Sequence, residues 1–302
     1  MTHLPQATSS PSIDQTDCVV RLTGPDAKKV LQGQTTADFE SAQPGQHLFA
    51  TFCSPKGRVL ADVLAVVVQD DTVLLRGRRA VMTHLAEHLK PYLAFSKSTL
   101  EQTDWLVACE RRDADSVQPV GAELTWEGES LISIHLSRGD FFLEHWRSPA
   151  LDASAAHVPA APVSLAEVDL QTSRARIEME TIGAYLPQDL DYDLDGSVSF
   201  TKGCYTGQEI IARLHYRGTP KRRLHRAEVS SDVGVLPAGT VLTDEQGKTI
   251  GSIVNAVGTP DTQHLLIELI PAAAAGRVMV RNQPTALQSI AACHPSNDQS
   301  TD

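Results

Sequence analysis

Apolar positions along the chain fall into short runs with two periods. Cys18 to Leu22 reads as a strand, and Thr23-Gly24-Pro25 then opens a helix with Ala27, Val30 and Leu31 as its buried stripe. Pro25 sits in the first turn, where its missing N–H costs nothing. His47 to Phe52 predicts a second strand. It passes through the turn-forming Ser54-Pro55-Lys56-Gly57 into the apolar run Val59 to Val68, which together read as a hairpin. Thr72 to Arg76 is a further strand, followed by a helix in which Val81, Leu85 and Leu89 recur every four residues up to Pro91. Trp105 to Cys109, Leu131 to Leu136 and Phe141 to Trp146 add strands, the last two joined by Ser137-Arg138-Gly139-Asp140.

From Arg147 to Val163 the chain is rich in Ala and Pro and reads as a linker or surface crossing. Ser164 and Glu167 have capping-box spacing, which predicts a helix running to about Glu178. Beyond Arg222 the texture changes to short β-rich pieces: Leu224 to Val229, Thr240 to Thr243, Thr249 to Asn255, His264 to Leu269, Val278 to Arg281 and Ala286 to Ile290. Gly, Pro and Asp separate them at roughly ten-residue intervals, the spacing of a small β-barrel or sandwich.

Composition narrows the classes. With 302 residues, 41% apolar and 21% charged, the chain is an ordinary globular one. The run from Val59 to Val68 falls well short of the roughly 20 residues that cross a bilayer, so no membrane partner is expected. The first 17 residues lack both the basic start and the apolar core of a secretory signal, and read as a disordered lead-in. A net charge of −11 argues against direct binding of bulk nucleic acid. Between Glu209 and Glu228 there is nonetheless no acid, while Arg213, Arg217, Lys221, Arg222, Arg223 and Arg226 are basic. A local anion site and a solvated face both remain open there. The five cysteines are scattered without a Cys-x-x-Cys pair, which disfavours a disulfide framework, a zinc site or a cluster held by this chain alone. Reduced thiols in the cytoplasm fit this usage. His84 and His88 lie four apart, but no carboxylate pattern joins them into a zinc site, and no metal is expected.

Two places stand out for chemistry. In Lys202-Gly203-Cys204-Tyr205-Thr206-Gly207-Gln208-Glu209, Thr206 and Glu209 again have capping-box spacing, which puts Thr206 at the N-cap of a helix carrying Ile210, Ile211 and Leu214. Cys204 then lies just before a helix start, where free N–H groups, the dipole and the Lys202 ammonium would favour a thiolate. The bland alternative is that the two glycines shape a turn, Cys204 is a small buried residue and Thr206 a cap. The second place is Asp62, the lone polar side chain between Val59 and Val68, on a strand apolar on both faces. A carboxylate there is costly unless it is paired, so it is a functional group or has a buried partner such as Arg58.

The Lys202 to Glu209 string resembles the YgfZ family signature, Lys-Gly-Cys-Tyr/Phe-x-Gly-Gln-Glu, and matches every position. Thr23 to Ala27, Leu31 to Asp38, Ser54 to Arg58, Phe95-Ser96-Lys97, Arg176-Ile177-Glu178, Pro187-Gln188 and Arg217-Gly218 resemble other family segments in order. One departure is Met179-Glu180-Thr181, where the family often has Gly-x-Pro after the Arg-Ile-Glu string. The resemblance implies an α+β, aminomethyltransferase-like three-module fold with a ferredoxin-like module and a C-terminal β-barrel. The boundaries expected are a lead-in at 1–17, a discontinuous folate-binding module at 18–46 plus 147–220, a ferredoxin-like module at 47–146, a β-barrel at 221–292 and a disordered tail at 293–302.

It further implies tetrahydrofolate or a one-carbon derivative as cofactor, with Cys204 and Asp62 in the catalytic roles. Lys202, Gly203, Tyr205, Gln208, Glu209, Arg213 and Arg58 are then the cofactor-binding residues. The partners implied are iron–sulfur enzymes or assembly factors, served by a cytoplasmic monomer, with tRNA methylthiolation affected only indirectly. The alternatives are an active tetrahydrofolate-dependent one-carbon transferase, with Asp62 handling protons, and a thiol protein without folate that rests on Cys204.

Overall fold

The structure, a computed structural model, describes residues 16–112, 125–126, 131–138, 140–148, 162–281, 283 and 285–294. Strands β1 (Asp17–Thr23), β2 (His47–Cys53), β3 (Val59–Gln69), β4 (Thr72–Arg78) and β5 (Thr99–Gln102) form an antiparallel sheet in the order β2-β3-β4-β1-β5. The module boundary expected at 46–47 therefore falls inside a sheet, because β1 pairs along its whole length with β4. Helices α1 (Ala27–Gln34) and α2 (Arg79–Leu93) cover one face. Strands β6 (Leu106–Arg112), β7 (Thr125–Trp126), β8 (Leu131–Arg138), β9 (Asp140–Arg147) and β10 (Pro162–Val163) make a second sheet, β10-β6-β9-β8-β7. Both ends of the expected 147–163 linker are thus strand, and its middle, 149–161, lies outside the described residues.

Strand β3 sits inside the first sheet and buries both faces. Val59, Ala61, Val63, Ala65 and Val67 pack with Leu31, Val81, Leu85 and Leu89 of the two helices. Leu64 and Val66 point the other way, with Val19 and Leu74, onto Val107, Ile132, Phe142 and Trp146 of the second sheet. Each such Val or Leu contributes about 1.5–3 kcal/mol on full burial, which is why this strand reads as a continuous apolar run.

Helix α3 (Leu165–Gln171) begins as expected, with the Ser164 hydroxyl accepting from the Glu167 N–H at 3.2 Å. It ends seven residues before Glu178. Ser173 turns into the left-handed region at φ 54°, and Asn255 exchanges hydrogen bonds with the backbone of Arg176, 2.8 Å to its N–H and 3.1 Å to its carbonyl. Tertiary contacts there outweigh helix propensity. After α4 (Gln208–Arg217), strands β11 (Arg223–Ser230), β12 (Val241–Thr243), β13 (Thr249–Gly258), β14 (Thr262–Leu269), β15 (Met279–Val280) and β16 (Gln288–Ala292) form the third sheet, β15-β12-β13-β14-β11-β16. Register shifts at Ile253/Asn255 and Arg226/Glu228 help it curl into a half-barrel around Leu242, Ile253, Leu265 and Ile267.

The described residues of the expected lead-in and tail are held in the fold. Asp17 is buried in β1, and Cys293 and His294 are tied to Leu224 and Asp191. Asp17 belongs to an ion network between the two sheets. Its carboxylate accepts from Arg76 (3.1 Å), Arg78 (3.1 Å) and Arg176 (3.0 Å), and Glu144 on β9 takes a two-pronged contact from Arg76 at 2.7 Å. Arg176 reaches Asp169 on α3 at 3.1 Å, and Arg78 reaches Glu178 at 3.0 Å. Burial pushes the Asp17 carboxyl up, but Arg176, Arg76 and Arg78 outweigh it and hold the group well below the usual range.

A depressed folded value stabilises at neutral pH and is lost as pH falls below about 4. We expect the urea midpoint of the wild type to drop steeply from about pH 5 downward. Asp17→Asn, destabilised by about 3–5 kcal/mol at pH 7, should show a shallower acid limb. Parallel acid limbs would refute the assignment.

Candidate functional site

The two motif-bearing turns lock into each other. Ser54 to Gly57 closes with the Gly57 N–H on the Ser54 carbonyl at 2.8 Å, and Gly57 has φ 71°. Gly207 has φ 86°, and a Cβ there would lie 2.6 Å from the Ser54 carbonyl oxygen and 3.0 Å from Gly57 Cα. No side chain fits at Gly207 on either count. This left-handed residue is also the N-cap of α4, so Thr206 does not cap the helix as its spacing suggested. The Thr206 N–H instead donates to the Gly33 carbonyl at 3.0 Å, which ties the loop to the end of α1.

Lys202 is buried, and its ammonium donates to the carbonyls of Gln32 (2.8 Å), Thr35 (2.8 Å) and Ala37 (2.6 Å). These include carbonyls that α1 leaves unpaired at its C-terminus. Burial pulls its pKa down to about 8, opposed in part by Asp38 and Glu40. All three donors are engaged, so none remains for a Cys204 thiolate or for a cofactor, and Lys202 is a fastener of the loop. Tyr205 is likewise buried in the core, where burial drives its phenol well up. Arg58 donates to the Ala184 carbonyl at 2.8 Å. Gly203, Cys204, Glu209 and Arg213 are exposed and Gln208 half-buried.

Among the described cysteines Cys204 alone is exposed. Cys18, Cys53 and Cys109 are buried and Cys293 is partly so. Burial raises the Cys53 thiol to about 12 and also raises Cys18.

Asp62 is buried and paired, and its partner is Arg176, not Arg58. One carboxylate oxygen takes the Arg176 Nε–H at 2.5 Å, the other the Ile177 N–H at 2.7 Å. It shares the sheet face of Leu64 and Val66, whereas Tyr205 and Ile211 of the signature segment pack in the core on the opposite face. The structure therefore does not bring Asp62 and Cys204 into one site. Beside the Asp62 network is a cleft of about 190 Å³, with Arg78, Asp169, Glu178 and Asn255 along one side and Leu236 and Val257 among its apolar lining. Burial raises the carboxyls of Asp169 and Glu178. Sequence reasoning missed Arg176, Glu178 and Asn255 as site-building residues. The available signal was the period-two alternation Arg174-Ala175-Arg176-Ile177-Glu178, which puts three charges on one face of an extended segment and the apolar Ala175 and Ile177 on the other.

Among the described residues no group of His, Cys, Asp or Glu could hold a metal ion, and no helix is long and apolar enough to cross a membrane. No family profile matches the chain. The tRNA-modifying protein YgfZ of Klebsiella pneumoniae is 30% identical over 271 residues, covering 82% of this chain and 81% of the relative. The chain belongs to the YgfZ family. The family's tRNA-modifying protein from Hamiltonella defensa is 27% identical over 270 residues, 80% of this chain and 77% of the relative. In fold the chain resembles the glycine cleavage system aminomethyltransferase T of Bartonella henselae, with a TM-score of 0.63 over 90% of this chain and 82% of that one. At 16% identity the likeness is one of fold alone. The α+β, aminomethyltransferase-like architecture with a curled C-terminal sheet is thereby established.

Two outcomes follow from the geometry of the loop. Gly207→Ala combines left-handed strain with a clash against Ser54 and should lower stability by about 2–3 kcal/mol. Gly203→Ala, with nothing within 4 Å of the new carbon, should stay near wild type. Denaturant midpoints at constant m test this, and equal losses would contradict it. In timed alkylation with iodoacetamide, Cys204 should react at least about tenfold faster than any other thiol, because only exposed thiols meet the reagent. Mass spectrometry locates the label, and an unchanged fast phase in Cys204→Ala would defeat the expectation.

Proposed function

We propose that the protein binds tetrahydrofolate or a one-carbon derivative and supports the assembly or repair of [4Fe–4S] enzymes, with tRNA methylthiolation affected through the client enzyme. The observation that carries the reading is Cys204. It is the one fully exposed cysteine among those described, presented on a fastened turn within an intact family signature, and it belongs to no group of three or more His, Cys, Asp or Glu among the described residues that could hold a metal. A single presented thiol suits transient contact with a partner's cluster or thiol better than permanent cluster binding, which takes several ligands. The reading assigns the protein to the cytoplasm as a monomer, without direct contact to nucleic acid or membrane.

For folate, the cleft beside Glu178 offers the better chemistry. Arg78 and Asn255 address only Oε1 of Glu178, so Oε2 is left to accept from the N–H groups of a pterin ring. Asn255 adds an amide, and Leu236 and Val257 supply apolar wall. A volume of about 190 Å³ is below the range of roughly 300–1,000 Å³ for whole ligands, so the pterin head would enter and the glutamate tail would stay outside. Folate would supply one-carbon carrying capacity when bound. The transferase alternative gains nothing from Asp62, whose two oxygens already accept from Arg176 and Ile177.

Calorimetric titration with tetrahydrofolate is the first test, paired with gene deletion and restoration. Wild type and Cys204→Ala should bind alike, and Glu178→Gln should bind at least about tenfold more weakly, about 1.4 kcal/mol. In cells lacking the gene, wild type should restore [4Fe–4S] enzyme activities under oxidative stress and Cys204→Ala should not. Absence of folate binding would remove the folate half of the reading, and full rescue by Cys204→Ala would remove the thiol half.

A further inference from the structure

The sheet face that bears Asp17, Arg76 and Asp62 at one end continues through the apolar middle of Val19, Leu64 and Leu74 to a cavity at the other end. This cavity has a volume of about 460 Å³, within the range of sites that enclose small organic molecules. Strand register builds it. Arg21 lies opposite Leu74, Thr23 opposite Thr72, and Gln69 opposite Thr72 from the other side, so β1, β4 and β3 each contribute to one wall. Trp105, buried just before β6, lines the cavity with them.

Arg21 is the unusual member. It is half-buried, yet its side chain has no hydrogen bond or ion pair among the described residues, and Glu101, opposite it on β5, makes no ion pair with it. The next arginines along the same face, Arg76 and Arg78, are both held by carboxylates. Among the described residues lining the cavity, Arg21 alone is charged. A free guanidinium fork recognises a carboxylate in a two-pronged contact, and the polar Thr23, Gln69 and Thr72 beside it can add hydrogen bonds. The indole of Trp105 and the side chains of Leu74 and Val68 favour a flat apolar body beneath it.

We propose that this cavity binds a small aromatic or heteroaromatic carboxylate, with the carboxylate on Arg21 and the ring against Trp105 and Leu74. The site is independent of the folate reading. Arg78 borders the Glu178 cleft and Thr72 this cavity, about 20 Å apart along β4.

The test uses 2-naphthoate as probe and the neutral 2-naphthamide as its isosteric control, titrated calorimetrically into the full-length protein. We expect saturable one-site binding of 2-naphthoate, at least about tenfold weaker binding of the amide, and a similar loss in Arg21→Gln that Arg21→Lys partly restores. Saturating tetrahydrofolate should leave probe binding unchanged. Equal binding of acid and amide, no saturable binding, or an unaffected Arg21→Gln protein would overturn the proposal. Displacement by tetrahydrofolate would overturn it too, by making the cavity part of a folate site. The acid-to-amide comparison is made on the wild type, so the outcome does not depend on the variants folding.

Discussion

Arg176 carries a full charge into the layer between two sheets, and its position is dictated by carboxylates from distant parts of the chain: Asp17 at the first strand, Asp62 in the apolar hairpin and Asp169 on the short helix. Removing such charges from water costs several kcal/mol each, and their mutual attraction recovers that only if every prong is matched. The consequence is geometric. Strand β1 cannot slip against β4, the helix must stop at Gln171, and the chain must run extended through Arg176 so that Asn255 can hold its backbone. Arg176 thus ties the first sheet to α3, and the Asn255 amide holds its backbone to the half-barrel, which is also joined to the rest by Arg223 on Asp191 and Asp193 and by Arg226 on Ser173.

On the opposite face of the first sheet the organising force is steric. Gly57 and Gly207 approach so closely that neither position has room for a side chain without displacement, and the loop between Lys202 and Gly207 is pinned at its start by an ammonium and at its end by this contact. Gly203 and Cys204 lie between two fixed points and face solvent. The most specific string in the sequence therefore divides by role: Lys202, Tyr205 and Gly207 hold the turn, and Cys204 is presented by it.

Much of the fold was legible because it follows from periodicity. The strands of the half-barrel lie within a few residues of the runs that announced them, and the two-sided burial of β3 follows from its unbroken apolar run. What was not legible depends on contacts far apart in sequence. The capping-box spacing at Thr206 and Glu209 is genuine, but a left-handed glycine forced by the Ser54 turn moves the helix start past it. Arg58 was the nearest cation to Asp62 along the chain, and Arg176, 114 residues away, is the partner in space. Likewise the pairing of β1 with β4, invisible to local pattern, removes the module boundary drawn at residue 46.

The sheet that separates Asp62 from Cys204 has a further consequence. Its two layers of Val, Leu and Ala form a slab of low polarizability between the ion network and the thiol, so a change of charge on one side is felt weakly as a field on the other. Any signal from an occupied cleft to the cysteine has to travel as displacement, through β3 and the turn that follows β2, and not as electrostatic potential. The protein is in that sense built like an insulated relay, with a mechanical link and no wire.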